Sequence, residues 1–288
     1  MKSNIIDKYL TEFLCRRRPH LVHRPLVIGH HGTNGMPENT LESLLKAIED
    51  GADGVELDIV FSSDNCPFVS HDNDVSDRLA GCDQPVFLDR IPADTIRCLR
   101  IHGSMKISSL ADTLDALRRT QAKRIYIHYK RQNEKRDSRP HIKAVSDVIR
   151  SAGMIDKAVV MVESGIVAPW RNFSPDILVL QCWTGPNSSK SYHSLSEARE
   201  HNTKDVGLYH SREQLNAIGR YLHRLSFTRL GAYFGFGPIR ALLREGNGQN
   251  LRFIVFTIND PVLMQLYAEA GVDAIGSDYP RDLQRLLQ

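Results

Sequence analysis

Two carboxylates stand close together in one apolar run of this 288-residue sequence, GVELDIV at residues 54–60. Glu56 and Asp58 are two residues apart, so in a β-strand their side chains point to the same side. Two carboxylates held together repel each other unless positive charge lies between them, and a divalent cation with oxygen ligands is the usual solution. A salt bridge from Glu56 or Asp58 to Lys130, without a metal, is the alternative. The spacing therefore predicts either a metal site or a buried ion pair.

Histidines accompany this acidic pair at the ends of other apolar runs. His30 ends LVIGH, and His71 follows FVS. Cleavage of a phosphodiester takes a proton from the nucleophile and gives one to the leaving oxygen, and imidazole, which titrates near neutrality, can do either. A single histidine is more often structural, but two beside an acidic pair favour catalysis. His128 and Lys130 in RIYIHYK share one face of a predicted strand, where His128 can complete a metal shell and Lys130 can meet an anion.

The elements that must position these residues alternate between short apolar runs and amphipathic helical patterns, which is typical of a parallel α/β sheet. Eight strands are predicted, and the sixth competes with LGAYFGF at residues 230–236. A (β/α)8 TIM barrel in a single domain is favoured over a doubly wound open sheet, and catalytic residues of such barrels lie at the C-terminal strand ends. The predicted strands span residues 26–30, 54–60, 124–129, 157–162, 176–182, 205–209, 251–258 and 273–277.

The domain organisation predicted from this pattern is an N-terminal extension over residues 1–25 and one catalytic domain over residues 26–288. Residues 72–105 break the alternation and exceed a normal βα connection, so they are interpreted as a short insertion on the catalytic rim after the second strand. The basic residues of the extension, including Arg16, Arg17 and Arg18, are interpreted as a solvated segment without a role.

Composition excludes several classes of protein. The net charge of +3 is too small to indicate a nucleic-acid partner. Five cysteines without regular spacing indicate neither a disulfide framework nor a zinc knuckle. The first residues lack the apolar core of a signal peptide, and no apolar run has the length of a membrane span. We therefore expect a cytoplasmic protein without integral membrane association, with export by a route lacking a classical signal as the alternative.

Several motifs in order resemble the glycerophosphodiester phosphodiesterase family from about Leu26 to the C-terminus. They are HHG, PENT, GADGVELDIV, VSHD, HYK, FTIND and GVDAIGSDYP. The resemblance implies a (β/α)8 barrel with a divalent metal, Mg²⁺ or Ca²⁺. It implies His30 and His71 as the acid/base pair, Glu56 and Asp58 as metal ligands and Lys130 as a phosphate contact. Glu38 and Asn39 of PENT are also predicted to bind substrate or phosphate. A neighbouring substrate hydroxyl often attacks first in this family, which gives a cyclic phosphate.

The sequence departs from the family pattern in the metal and phosphate shell. His31 replaces the arginine of the usual His-Arg-Gly, so bidentate phosphate binding is lost there, although His31 is still predicted to contact the phosphate. His128 replaces a glutamate, and a nitrogen ligand makes Mn²⁺, Co²⁺ or Zn²⁺ plausible ions. Phe256 and Ser277 replace a tryptophan and a threonine. Gly32 is either a close approach to phosphate or a plain turn. Trp183 is either a wall of the substrate site or a core residue.

The function predicted from these features is metal-dependent hydrolysis of a glycerophosphodiester or a sugar phosphodiester to a phosphomonoester and an alcohol. The departures make a specialised small-molecule substrate, such as an agrocinopine-type sugar diester, a serious variant. Two alternatives remain: release of a headgroup from a lysolipid or sphingolipid, as in phospholipase D-like relatives, and a barrel that binds phosphodiesters without turnover. The oligomeric state stays open.

Overall fold

The computed structural model describes residues 5–15, 19–79, 84–130, 137–182, 204–209, 217–224 and 228–288. Two compact units emerge from the contacts between residues, Gly29–Val179 and a second unit that combines Met1–Ile28 with Leu180–Gln288. Strands alternate with helices in both units, as predicted. No helix among the described residues is both long and apolar enough to cross a membrane.

The unit Gly29–Val179 contains the strands that carry the predicted site. Strand β2 (Gly54–Phe61) pairs in parallel with β6 (Arg124–Tyr129), and β6 pairs in parallel with β7 (Ala158–Glu163). Strand β3 (Pro67–Val69) pairs with β2 in the antiparallel direction. All eight residues of β2 are buried, which is typical of a parallel strand covered on both faces. The elements, the first of which begins just before the unit boundary, are β1 (Leu26–His30), α2 (Leu41–Glu49), β2 (Gly54–Phe61), β3 (Pro67–Val69), α3 (Ala93–Cys98), β4 (Arg100–Ile101), β5 (Met105–Lys106), α4 (Leu110–Arg118), β6 (Arg124–Tyr129), α5 (Arg139–Ser151), β7 (Ala158–Glu163) and α6 (Ser164–Phe173).

The predicted rim insertion, residues 72–105, packs around an apolar core that it shares with β2 and β3. It contains two 3-10 turns, Ser76–Arg78 and Leu88–Arg90, helix α3 and the hairpin of β4 and β5. Asn73 joins the start of the segment to its middle, because its side chain donates to Asp89 Oδ1 at 2.7 Å and accepts from Asp89 N at 2.9 Å. The segment is therefore anchored rather than a loose loop. The buried apolar residues of this core are Val60, Phe68, Val75, Leu88, Ala93, Ile96, Ile101 and Ile107.

The second unit contains the strands β9 (Asp205–Tyr209), β10 (Arg252–Phe256) and β11 (Ala274–Ser277). Strand β10 lies between the other two and pairs in parallel with each of them. Helix α10 (Pro261–Ala270) is capped at its start by Asp260, whose side chain accepts from Val262 N at 2.9 Å. At its end it is capped by Gly271, which has the left-handed conformation. The described elements are α1 (Ile5–Cys15), β9 (Asp205–Tyr209), α7 (Ala217–Arg224), α8 (Thr228–Gly235), α9 (Gly237–Asn247), β10 (Arg252–Phe256), α10 (Pro261–Ala270), β11 (Ala274–Ser277) and α11 (Pro280–Leu286), while β8 (Leu178–Cys182) contains the boundary.

Part of the N-terminal extension is built into this second unit. Helix α1 contributes Asp7, which is 3% exposed and accepts from Leu230 N and Thr228 Oγ1, both at 3.2 Å. Arg229 donates to Thr11 Oγ1 at 2.6 Å. A buried carboxylate requires such partners. Residues 5–15 therefore belong to the packed unit, whereas the basic residues 16–18 lie outside the described residues.

The fold is the predicted (β/α)8 barrel. The sheet has the strand order β1-β11-β10-β9-β8-β7-β6-β2, and β1 also pairs with β2. The sixth barrel strand is β9, as predicted, whereas the competing run at residues 230–236 lies mostly in helix α8 because it continues the helical pattern from Thr228. Predicted and observed strand ends differ by up to two residues. The run SLSEAREH at residues 194–201, whose pattern predicts a helix, lies outside the described residues.

Candidate active site

Strand register brings the predicted metal ligands together within the unit Gly29–Val179. Glu56 and Asp58 are 2% and 0% exposed and lie on β2 between apolar residues. In the pairing of β2 with β6, Asp58 is directly opposite His128. Because residues opposite each other in adjacent strands project to the same face, both carboxylates and the imidazole converge. His128 Nδ1 is 3.0 Å from Asp58 Oδ1 and 3.8 Å from Glu56 Oε1.

Asn39 holds Asp58 in place. Its Nδ2 donates to Asp58 Oδ2 at 3.2 Å, and its Oδ1 accepts from Asp58 N at 2.9 Å. Asn39 has a φ of 54°, a left-handed conformation that asparagine tolerates better than most residues. Its own N–H donates to His31 O at 2.9 Å. The next residue, Thr40, caps α2 by accepting from Ser43 N. The PENT motif is therefore the turn that joins a helix start to the buried carboxylate.

Positive groups surround Asp58. Lys130 Nζ is 2.7 Å from Asp58 Oδ1, and His31 Nε2 is 2.7 Å from Asp58 Oδ2. Burial alone would raise the pKa of Asp58, but the contacts with His128 and His31 and the charges of His31 and Lys130 hold this pKa well below its usual range. Asp58 is thus ionised. Lys130 Nζ and His128 Nδ1 approach Oδ1 without hydrogen-bond geometry, so this buried oxygen has no hydrogen bond among the described residues.

His31 lies between the two carboxylates. Besides its contact with Asp58, its Nε2 is 3.5 Å from Glu56 Oε2, and its Nδ1 is 3.3 Å from Glu38 Oε2. Burial opposes protonation of the ring, but the contact with Asp58 and the charges of Glu56 and Asp58 outweigh burial and raise the pKa of His31 to about 9. The sequence predicted that His31 contacts the phosphate, whereas in the structure its Nε2 faces the carboxylates of Glu56 and Asp58. We call Glu56, Asp58, His31, His128 and Lys130 the carboxylate cluster.

The two predicted acid/base histidines both lie against His31. The rings of His30 and His31 are stacked with centroids 3.7 Å apart, and the ring of His71 meets His31 edge-on with centroids 5.3 Å apart. His30 Nε2 is 4.0 Å from Glu56 Oε2. His30 is 20% exposed and His71 is 40% exposed, so both rings can reach a ligand. The three imidazoles form a row beside the buried carboxylates.

His71 is oriented by a short chain of charges that the sequence interpretation did not assign. Its Nδ1 is 2.7 Å from Asp72 Oδ1, and Asp72 Oδ2 accepts from Arg78 Nη2 at 3.1 Å. Arg78 also donates to Ser70 Oγ at 3.4 Å, and Ser70 N donates to Asp58 O at 3.1 Å. The position of Asp72 directly after His71 could have predicted that it orients the histidine. Nothing in the sequence pattern pointed to Arg78, which lies in the rim insertion. We call His71, Asp72 and Arg78 the histidine arm.

The remaining predicted residues fall in different places. Glu38 is 61% exposed and contacts the Nδ1 of His31. Gly32 has a φ of 111°, and a Cβ there would lie 2.0 Å from Ser43 Oγ, so packing against helix α2 and a turn explain this glycine. Trp183 lies outside the described residues. Phe256, at the end of β10, packs against Gly276, where a Cβ would lie 2.0 Å from its ring.

The donor atoms in the site fit a divalent cation. Three sets of residues bring their donor atoms within 4.8 Å of one another. The buried Asp58 Oδ1, which lacks a hydrogen bond, supplies an oxygen for which a cation is a good partner. The sets are Glu56 with Asp58 and His128, His31 with Asp58 and His71, and His30 with His31 and Glu56.

Comparison with known proteins identifies the family. The model of the glycerophosphoryl diester phosphodiesterase family matches residues 30–282, which is most of the chain. The chain belongs to this family. The family predicted from the sequence is thereby confirmed. His30 is the first residue matched.

One curated relative and two solved structures are similar to this chain, which spans less than a third of the length of that curated relative. Glycerophosphodiester phosphodiesterase GDPD6 of Arabidopsis thaliana is 32% identical over 111 residues, which is 38% of this chain and 29% of that protein. The crystal structure of a glycerophosphodiester phosphodiesterase from Parabacteroides distasonis has a TM-score of 0.69 and 19% identity, covering 94% of this chain and 98% of that one. A phosphodiesterase from Oleispira antarctica, in complex with its product sn-glycerol-3-phosphate, has a TM-score of 0.68 and 20% identity, covering 92% and 97%. The two structures support the barrel fold.

Proposed function

We propose that this protein hydrolyses a glycerophosphodiester or a related sugar phosphodiester to a phosphomonoester and an alcohol, with His30 and His71 as the acid/base pair. The observation that carries the proposal is the row of imidazoles. His30 and His71 both lie against His31, next to the buried pair of Glu56 and Asp58. Two proton-transfer groups beside a cation-binding pair are what phosphodiester cleavage requires.

Proton transfer at His71 is assigned to its Nε2. The Nδ1 is engaged by Asp72, which favours the tautomer with the proton on Nδ1 and leaves the Nε2 lone pair available. The Nε2 can then accept a proton from an attacking hydroxyl or water, or return one to the leaving oxygen. His30, which stacks on His31, carries out the complementary transfer. Asp72 and Arg78 position His71 without touching the substrate.

A divalent metal ion is assigned to Glu56, Asp58 and His128. When bound there, it stabilises negative charge on the phosphoryl oxygens. The buried strand environment fixes both carboxylates, and Asn39 fixes the orientation of Asp58 through its two hydrogen bonds. Since both polar groups of its side chain are used on Asp58, we assign Asn39 to positioning the ligand rather than to direct phosphate binding.

Lys130 is assigned to the phosphate. Its side chain is 36% exposed, so the ammonium group has access to solvent while it contacts Asp58. An ammonium group on a flexible stem can exchange one anionic partner for another. A phosphate bound beside the carboxylate cluster then takes over part of the contact of Lys130, while Glu38 stays at the exposed edge of His31. The product of the Oleispira antarctica relative makes glycerol phosphodiesters the first candidates.

The test is turnover by the purified protein with defined metals and substrates. Glycerophosphocholine, glycerophosphoethanolamine and a sugar phosphodiester are each incubated with Mg²⁺, Ca²⁺, Mn²⁺, Co²⁺ or Zn²⁺, and ³¹P NMR follows the phosphomonoester and any cyclic phosphate. We expect metal-dependent hydrolysis of at least one of the water-soluble diesters. Turnover of sphingomyelin or a lysolipid alone indicates headgroup release instead, and ligand binding without turnover under any condition indicates a non-catalytic barrel.

A further inference from the structure

The Nε2 of His31 faces both carboxylates of the expected cation site. Its Nε2 lies 2.7 Å from Asp58 Oδ2 and 3.5 Å from Glu56 Oε2, and the side chain is 11% exposed. A neutral imidazole nitrogen is a good ligand for first-row transition metals. The position of His31 is therefore as suitable for a ligand as that of His128.

The other ring nitrogen of His31 has the partner that a metal-bound histidine usually has. Its Nδ1 lies 3.3 Å from Glu38 Oε2. In metal sites a carboxylate commonly accepts the second N–H of a ligating imidazole, which fixes the tautomer and the direction of the ring. When a metal ion displaces the proton between Nε2 and Asp58, a proton kept on Nδ1 by Glu38 leaves the Nε2 lone pair of His31 available to the ion.

The backbone and the neighbouring ring hold His31 in this direction. Its φ is 52°, its N–H donates to Glu56 O at 3.1 Å, and its carbonyl accepts from Asn39 N at 2.9 Å. The ring is stacked on that of His30. A residue held at both backbone groups and along one ring face has few alternative side-chain positions. Binding an ion therefore costs it little conformational entropy.

We propose that His31 is a metal ligand, and that it forms with His128, Glu56 and Asp58 a site of two nitrogen and two carboxylate donors. His31 Nε2 faces Asp58 Oδ2 while His128 Nδ1 faces Asp58 Oδ1, so the two imidazoles reach the two oxygens of one carboxylate. Such a donor set selects Zn²⁺, Co²⁺ or Mn²⁺ over Mg²⁺ and Ca²⁺, which prefer oxygen ligands. The inference rests on the proposed function, because it concerns the metal of that reaction.

The experiment measures metal binding without substrate. Protein stripped with a chelator is titrated by calorimetry with Zn²⁺, Co²⁺, Mg²⁺ or Ca²⁺ alone, for the wild type and for His31→Asn. Asparagine accepts the left-handed backbone of residue 31 but has no imidazole. We expect the affinity for Zn²⁺ and Co²⁺ to fall by about 100-fold, with the affinity for Mg²⁺ and Ca²⁺ changed by less than about threefold. The visible spectrum of bound Co²⁺ changes with the loss of a nitrogen donor.

His102→Asn is the matched control. His102 also has a positive φ, of 47°, and it is exposed in the rim insertion, where its backbone N–H, which the substitution keeps, donates to Arg78 O. The same substitution there leaves all four affinities unchanged, and circular dichroism checks the folding of both variants. An unchanged affinity of His31→Asn for Zn²⁺ and Co²⁺, or an equal loss for all four ions, overturns the proposal.

Turnover by the wild type with any metal is measured separately. A failure of the ligand assignment and a failure of the proposed reaction are therefore distinguished, because calorimetry with a metal alone does not depend on hydrolysis. Hydrolysis that persists while His31→Asn binds Zn²⁺ normally refutes the ligand role and leaves the phosphodiesterase proposal standing.

Discussion

The carboxylate cluster and the histidine arm lie next to each other but are built in different ways. Asp58 and Glu56 are 0% and 2% exposed on a fully buried strand, whereas His71 and Asp72 are 40% and 58% exposed. The carboxylate cluster is held by strand register and by Asn39. The histidine arm depends on Arg78, which comes from the rim insertion.

This difference separates the two tasks of the proposed site. A buried set of charges has little freedom to move, which suits a metal that must be held in one geometry. An exposed imidazole on a loop can approach a substrate and exchange protons with water. We therefore expect substitutions in the carboxylate cluster to change stability and metal binding together, and substitutions in the histidine arm to change turnover alone.

The largest effect is expected for Asp58→Asn. Its negative charge faces His31, His128 and Lys130, and its removal leaves buried positive groups without their partner. Breaking a buried ion pair in this way costs about 3 kcal/mol. Urea unfolding of the metal-free protein measures this loss, and calorimetry with Mg²⁺ or Zn²⁺ should show that binding falls below detection.

An exposed aspartate gives the comparison for this substitution. Asp115 on helix α4 forms salt bridges with Arg118 and Arg119 at the surface. Asp115→Asn should leave unfolding, metal binding and turnover unchanged, because exposed ion pairs contribute little. Equal effects of Asp58→Asn and Asp115→Asn on unfolding would contradict the importance assigned to the buried carboxylate.

The second effect, on turnover alone, is expected for His71→Asn. Loss of a general acid or base lowers the rate by roughly 10²- to 10⁴-fold. Because His71 is partly exposed and lies outside the core, the urea midpoint should not change. Initial rates at saturating metal provide the measurement. A loss of metal affinity equal to the loss of rate would place His71 among the ligands and erase the distinction between the two regions.

A third effect concerns the pH dependence of stability without metal. The pKa of His31 is raised from its ordinary value of 6.5 to about 9. A raised pKa stabilises the folded state fully below pH 6.5, and the stabilisation is lost as the pH rises through 9. We expect the free energy of unfolding in a chelator to fall by about 2 kcal/mol over this window.

His31→Asn isolates this contribution, since it removes the titrating ring and should flatten the pH dependence between 6.5 and 9. His102→Asn should retain the slope of the wild type. A slope that persists in His31→Asn would assign the pH dependence to other groups.

The sequence alone was sufficient to predict the part of the site that depends on strand periodicity. Glu56 and Asp58 alternate with apolar residues, and that spacing predicted two side chains on one face of β2, as observed. The barrel follows from the same alternation repeated along the chain. Strand ends and the identity of the sixth strand were less certain, because short apolar runs occur in helices as well.

Contacts that depend on irregular backbone could not be predicted in the same way. The direction of His31 follows from a left-handed residue and from contacts with side chains about 25 residues further along the chain. Arg78 lies in a segment without periodicity, so nothing in the spacing connects it to His71. The sequence did not predict that helix α1 packs into the fold. The buried carboxylate of Asp7 accepts hydrogen bonds from residues more than 220 positions away, which no local pattern reveals.

The smallest effect is expected for Arg78→Met, which keeps most of the side-chain volume but removes the charge that holds Asp72. The catalytic constant should fall by about tenfold, because His71 is no longer fixed in one orientation. The Michaelis constant and the metal affinity should not change, since Arg78 touches neither substrate nor ligands in the proposed site. Steady-state kinetics with calorimetry measures all three quantities.

Two further variants decide whether this loss is due to positioning. Arg78→Lys keeps a positive charge near Asp72 and should recover part of the rate. Arg90→Met is the control within the same rim insertion, since Arg90 is exposed and stacks 4.1 Å over the ring of Phe87, away from His71. A full rate in Arg78→Met, or an equal loss in Arg90→Met, would mean that the insertion supports the histidine arm through general packing rather than through this charge. In the arrangement proposed here, the strands hold the ion and the insertion positions the base, so the Arg78 variants, like His71→Asn, should lower turnover without lowering metal affinity.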